Sequence, residues 1–193
     1  GHIYEAFEDD GYIFLNDILG KAYANRKTEI NVFAGIKKPE YEPEEEIALT
    51  WEEEQTFINA CTYKNKNFFL LCLYEGLRPG ECLALKPEDI NLENMTLRVD
   101  ESINPGTDDT STKNKPSNRI TPIFKNAEAI LKKYARGETG QRIFNVGIAT
   151  IYEELERVLK KINIRYITPK NLRHTFITRC QELNIPEYII QSW

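Results

Sequence analysis

Apolar residues recur every three or four positions along most of this chain and alternate with polar ones in only two short stretches, which predicts a mainly helical protein with a small sheet. Tyr12, Leu15, Ile18, Leu19 and Tyr23 have helical spacing, and Asn31 to Gly35 reads as the exit from a helix into a turn. Lys37 to Glu46 then brings two prolines and five glutamates with little to bury, the composition of a linker. The chain therefore divides into residues 1–36, a linker at 37–46 and a main domain at 47–193.

Within the main domain, Thr50-Trp51-Glu52-Glu53 is a capping box, and it predicts a helix running to about Cys61. Phe68 to Gly76 is a second, strongly apolar helix; Pro79 stops it and opens a short third. Pro87-Glu88-Asp89 begins a turn into Met95 to Val99, whose alternation predicts a strand, and Arg119 to Ile123 alternates again, so an antiparallel pairing is expected. Ala127–Ala135, Ile148–Lys161 and Pro169–Leu183 return to helical spacing, and Pro186–Trp193 begins another helix. The fold class is α+β, mainly α.

Composition changes this picture little. At 193 residues there is room for one domain and a fragment of a second, and 41% hydrophobic with 28% charged residues excludes a disordered chain. The longest apolar run, Phe68 to Tyr74, is too short to cross a membrane. Four cysteines without a CxxC pair, and only two histidines, argue for reduced, buried thiols and against a metal site. The four acids within Gly1 to Asp10 are unlike a signal peptide and imply a cytoplasmic protein. Charge matters more: the net of −5 hides a local −9 over residues 1–56 and +6 over residues 111–143. Only the second stretch suits a polyanion.

Three basic clusters stand where cations are awkward. In Gly76-Leu77-Arg78-Pro79-Gly80-Glu81, Arg78 sits at the start of the helix opened by Pro79, where backbone amides gather around an anion; the plainer reading is an Arg78/Glu81 ion pair three residues apart. Thr112 to Arg119 carries Lys113, Lys115 and Arg119, which serve either a polyanion or protection of a strand edge. After Thr168-Pro169, Lys170, Arg173 and His174 fall on one face of a helix's first turns, against the helix dipole, so they either bind an anion or form a solvated basic face.

Taken together, Glu75-Gly76-Leu77-Arg78-Pro79-Gly80-Glu81, Lys113 ahead of a strand ending in Pro122, and Thr168-Pro169-Lys170-Asn171-Leu172-Arg173-His174-Thr175-Phe176 closely resemble the tyrosine recombinase or phage integrase family. The resemblance runs from about Ile47 to Trp193, and Asn31 to Gly35 is similar to the tail of that family's core-binding domain. It implies site-specific integration of mobile DNA through a 3′-phosphotyrosyl intermediate, without cofactor. The partners implied are double-stranded DNA and, for a full-length protein, other recombinase protomers. Arg78 and Arg173 match the arginines that clamp the scissile phosphate, Lys113 the hairpin lysine that protonates the leaving 5′ oxygen, and Glu81 an acid that holds Arg78. Lys170 matches a position that is more often histidine and contributes charge; His174 matches a structural histidine; Lys115 and Arg119 are expected on the DNA.

In the family a further His or Trp and then the nucleophilic tyrosine follow the Pro186–Trp193 helix, so the nucleophile is expected to be absent from this chain. Tyr188 lies in the apolar pattern Ile185, Tyr188, Ile189 and matches a core position instead. Two alternatives remain: a non-catalytic DNA-binding regulatory fragment of the same fold, and a helical protein-interaction domain whose basic clusters are solvated.

Overall fold

The helix start read at Thr50 forms with both of its reciprocal bonds. Glu53 N–H donates to the Thr50 hydroxyl (3.2 Å) and Thr50 N–H donates to the Glu53 carboxylate (2.8 Å), so two orphan amides of helix α1 (Trp51–Ala60) are satisfied locally. The computed structural model describes residues 18–27, 29–30, 47–103 and 118–193. The chain divides into two compact units, Gly1–Glu45 and Glu46–Trp193. In the first, residues 18–24 are helical.

The second unit is organised around α2 (Lys66–Tyr74). Its sequence is apolar nearly all round, and Phe68, Phe69, Leu71, Cys72 and Leu73 are all buried, as such a helix must be. It packs against the short α3 (Pro79–Ala84), α4 (Lys125–Tyr134) and α6 (Pro169–Glu182), while α1 packs on α5 (Ile148–Ile162) and α7 (Glu187–Ser192) on α6. Edge-on contacts of Phe68 with Phe69 and Phe144 (ring centroids 5.7 and 5.6 Å apart) fill the centre. All four cysteines are buried free thiols.

The sheet has one strand more than the alternation predicts. β1 (Ile90–Asn91), β2 (Thr96–Val99) and β3 (Arg119–Pro122) pair antiparallel in that order, with Ile90 opposite Leu97 and Val99 opposite Arg119. Two residues are too few to show a period, so β1 has no signature of its own. Leu97, Val99 and Thr121 face inward; Arg98 and Ile120 face out.

The segment that enters the second unit is fastened to α6. Leu49 N–H donates to Thr175 Oγ1 (3.0 Å), Arg179 Nη2 donates to Leu49 O (2.8 Å) and Arg179 Nε donates to the Glu54 carboxylate (2.8 Å). These bonds brace the helix that carries Lys170, Arg173 and His174. That helix begins as its sequence implies, with Thr168 N–H donating to Asn171 Oδ1 (2.8 Å) and Pro169 at its first position.

Candidate active site

The site begins where α2 ends. Gly76 takes a left-handed conformation (φ +62°) that turns the chain after Glu75, Leu77 is wholly buried, and Arg78 becomes the N-cap of α3. A side chain at Gly76 would collide with Phe176 of α6, whose Cδ1 lies 2.4 Å from an ideal Cβ, so glycine is required for space as well as for conformation. This close approach brings the turn onto α6. The Gly76 carbonyl there accepts a hydrogen bond from Arg173 Nη1.

Glu81 organises the arginines. Its side chain is 3% exposed, and its carboxylate accepts from Arg78 N–H (2.9 Å) and Arg78 Nη1 (2.8 Å), and in a fork from Arg119 Nη1 and Nη2 (2.8 Å each). Burial alone would raise its pKa, but the Arg119 bonds and charge, followed by the Arg78 bonds, hold it down at about 2. The two arginines differ in exposure: the Arg119 side chain is 12% exposed and that of Arg78 56%. Arg119, expected on the DNA, is turned inward onto Glu81.

Arg173 is half-buried, and its pKa is brought down to about 10, first by burial and then by the neighbouring charge of Arg78, with Arg119 adding to it and Glu81 opposing. Three guanidinium groups therefore lie within electrostatic reach of one ionised carboxylate, which Arg78 and Arg119 bond and Arg173 does not. The nearby Glu75 does not redress the balance at neutral pH: it is buried, burial pushes its pKa up to about 8, and its Oε1 accepts only from Phe124 N–H (2.9 Å). The cluster keeps an excess of positive charge with the exposed donors of Arg78 beside it, the electrostatics of an oxyanion site.

The structure thus brings Arg78, Glu81 and Arg173 together from α3 and α6. Lys170 is exposed on the first turn of α6 and His174 is half-buried on its second. Lys113 and Lys115 lie outside the described residues. Among the described residues no group of His, Cys, Asp and Glu could hold a metal ion, and no helix is long and apolar enough to cross a membrane. Tyr188 corrects the sequence reading, being 73% exposed rather than in the core. Ile190 is the buried residue of α7, and a position two residues before it lies roughly 200° around the helix, on the opposite side.

Sequence reasoning missed Glu75 and the inward role of Arg119. The signal for Glu75 was a single acid closing the apolar run Phe68–Tyr74. For Arg119 there was none, because its partner lies 38 residues away.

The sequence model of the phage integrase family matches residues 48–193. A tyrosine recombinase XerA of Saccharolobus solfataricus is 34% identical over 151 residues, covering 77% of this chain and 48% of that protein. A XerA of Pyrococcus horikoshii is 26% identical over 169 residues, covering 81% of this chain and 55% of that one. The chain spans about half the length of the curated relatives it matches. Among solved structures, the Tn1549 transposon integrase in complex with a circular intermediate DNA matches with a TM-score of 0.74 at 17% identity, over 92% of this chain and 67% of that one. The crystal structure of XerA recombinase matches with a TM-score of 0.57 at 18% identity, over 98% of this chain and 68% of that one. These likenesses are of fold: the second unit has the tyrosine recombinase catalytic fold.

Proposed function

The chain belongs to the phage integrase family, and from that premise we propose that it is the catalytic part of a tyrosine-type site-specific DNA recombinase that inserts and excises mobile DNA. Residues 1–36 are then the end of a core-binding domain, joined through 37–46 to the catalytic domain at 47–193. The observation that carries the reading is the excess charge around Glu81, with Arg173 held to the Gly76 carbonyl close enough to Arg78 for their charges to interact.

In the proposed reaction a tyrosine hydroxyl passes its proton to solvent water as its oxygen attacks the scissile phosphorus, a tyrosyl oxygen–phosphorus bond forms, and the bond to the 5′ oxygen breaks. Arg78 and Arg173 offset the charge that builds on the non-bridging oxygens, and Lys113 protonates the departing 5′ oxygen. Lys170 adds positive charge at the mouth of the site, Lys115 contacts the backbone, and His174 supports Arg173 from the next position on α6. The partners are double-stranded DNA and further protomers, in the cytoplasm. No described tyrosine hydrogen-bonds to Arg78 or Arg173, and the nucleophile is proposed to lie outside this sequence.

Titration of a DNA duplex at several salt concentrations tests the reading. Weak, sequence-tolerant binding should fall steeply with salt, and Arg78→Ala or Arg173→Ala should each weaken it by about tenfold and flatten the salt slope by about one. Binding that ignores both salt and the arginines favours the protein-interaction alternative. On a nicked suicide duplex this chain should form no covalent adduct, and the same chain extended through a tyrosine-bearing segment should form one. A lasting failure of the extended protein would favour the non-catalytic alternative, and an adduct lost in Tyr188→Phe would make Tyr188 the nucleophile.

A further inference from the structure

Glu81 is shared unequally by its two arginines. Arg119 meets it with a two-pronged fork from a nearly buried position, while Arg78 gives it a single side-chain bond and is otherwise exposed. A bidentate, desolvated pair is the stronger of the two, because the fork matches both carboxylate oxygens and little water competes. Glu81 is therefore neutralised mainly by Arg119. Arg78 is oriented by its two bonds, one from the backbone and one from Nη1, but its charge is left largely unspent.

Arg119 has a second consequence. It is the first residue of β3, and Ile103, the last described residue before the 104–117 segment, donates its N–H to Gly80 O (3.0 Å). An ideal Cβ on Gly80 would lie 2.4 Å from Ile103 O, so this contact is backbone against backbone. Both stems of the segment that contains Lys113 are thus fixed to α3, one at Gly80 and the other at Glu81.

We propose that Arg119 is a positioning residue: by neutralising Glu81 it lets that carboxylate orient Arg78 without consuming its charge, so that Arg78 meets the DNA phosphate while Arg119 never touches it. The proposal rests on the phosphate-site reading above. It replaces the direct DNA contact that sequence alone suggests for Arg119.

The test compares duplex affinity and salt slope for the wild-type chain, Arg119→Met, Arg119→Lys and the neutral pair Arg119→Met/Glu81→Gln. Each is measured with its folded fraction fixed by circular dichroism. Removing the fork alone should let Glu81 capture Arg78: affinity falls about tenfold and the salt slope flattens by about 0.9, the loss of one phosphate contact. Arg119→Lys, which keeps the charge, should stay within about threefold of wild type. In the neutral pair no carboxylate charge competes for Arg78, so the slope should return to wild type while affinity recovers only in part, because the carboxylate that orients Arg78 is gone, and adding Arg78→Ala to it should again remove about 0.9 from the slope.

A neutral pair whose slope stays flattened means that Arg119 itself contacts phosphate, which overturns the proposal. So does an Arg119→Met chain that is less stable but binds normally when folded, since that is a purely structural role. Should Arg119→Met not fold, the neutral pair with and without Arg78→Ala decides the matter alone. A wild-type chain that binds no duplex overturns the phosphate-site reading itself, which the other outcomes leave standing.

Discussion

Replacing Gly76 by alanine tests the junction on which the site depends. The residue has φ +62°, and its missing Cβ would lie 2.4 Å from Phe176 Cδ1 and 2.7 Å from Cε1. A left-handed alanine costs roughly 1–2 kcal/mol. The ring cannot simply step aside, because Phe176 is packed edge-on against Phe124 (5.4 Å) and tilted against Trp193 (6.4 Å), which also touch each other (5.0 Å). Forcing one methyl into such a cluster costs about 1–3 kcal/mol more. The total of about 2–5 kcal/mol should lower the thermal midpoint by roughly 5–15 °C for a unit of this size. Urea unfolding followed by tryptophan fluorescence reports it directly, since Trp193 is part of the cluster. In a Phe176→Ala background the methyl has room, and Gly76→Ala should cost only the backbone part, leaving a coupling of about 1–3 kcal/mol. A Gly76→Ala chain within 2 °C of wild type, or a coupling near zero, would refute the reasoning. The variant should also bind duplex more weakly, because the carbonyl that holds Arg173 moves with the turn.

Two carboxylates should give the stability profile opposite slopes. Glu81 is held at about 2 when folded against about 4.5 for a free glutamate, so its contribution is present above about pH 4.5 and lost as pH falls toward 2; Glu81→Gln should flatten that acid limb, worth on the order of 3 kcal/mol. Glu75 is raised to about 8, so the folded state keeps its proton while the unfolded chain loses it above about pH 4.5; stability should decline as pH rises from there to 8, and Glu75→Gln should remove the decline in thermal midpoints measured across that range. Arg179→Ala strips Glu54 and the Leu49 carbonyl of their partner at the entrance to the second unit, and denaturant midpoints should show a loss of about 2–4 kcal/mol. A loss below about 0.5 kcal/mol would place that contact among exposed ion pairs that contribute little.

What could be read from sequence was local. The capping box at Thr50, the helix start at Thr168-Pro169, the proline opening α3, the apolar α2 and the alternation of β2 and β3 all depend on hydrogen bonds or periodicities that close within a few residues, so the chain carries them on its face. Arg78, Arg173 and Glu81 stand out because the contiguous motifs that hold them resemble those of the family. Tertiary structure decided what each charge faces. Arg119 meets Glu81 across 38 residues and Arg173 meets Gly76 across 97, and no local pattern distinguishes an arginine aimed at DNA from one aimed at a buried carboxylate. Burial among the packed helices pushes the Glu75 pKa up to about 8, and Tyr188 faces out because Ile190 faces in. Burial and partner are properties of the assembled neighbourhood, and they hold Glu81 ionised and bring the Arg173 pKa down.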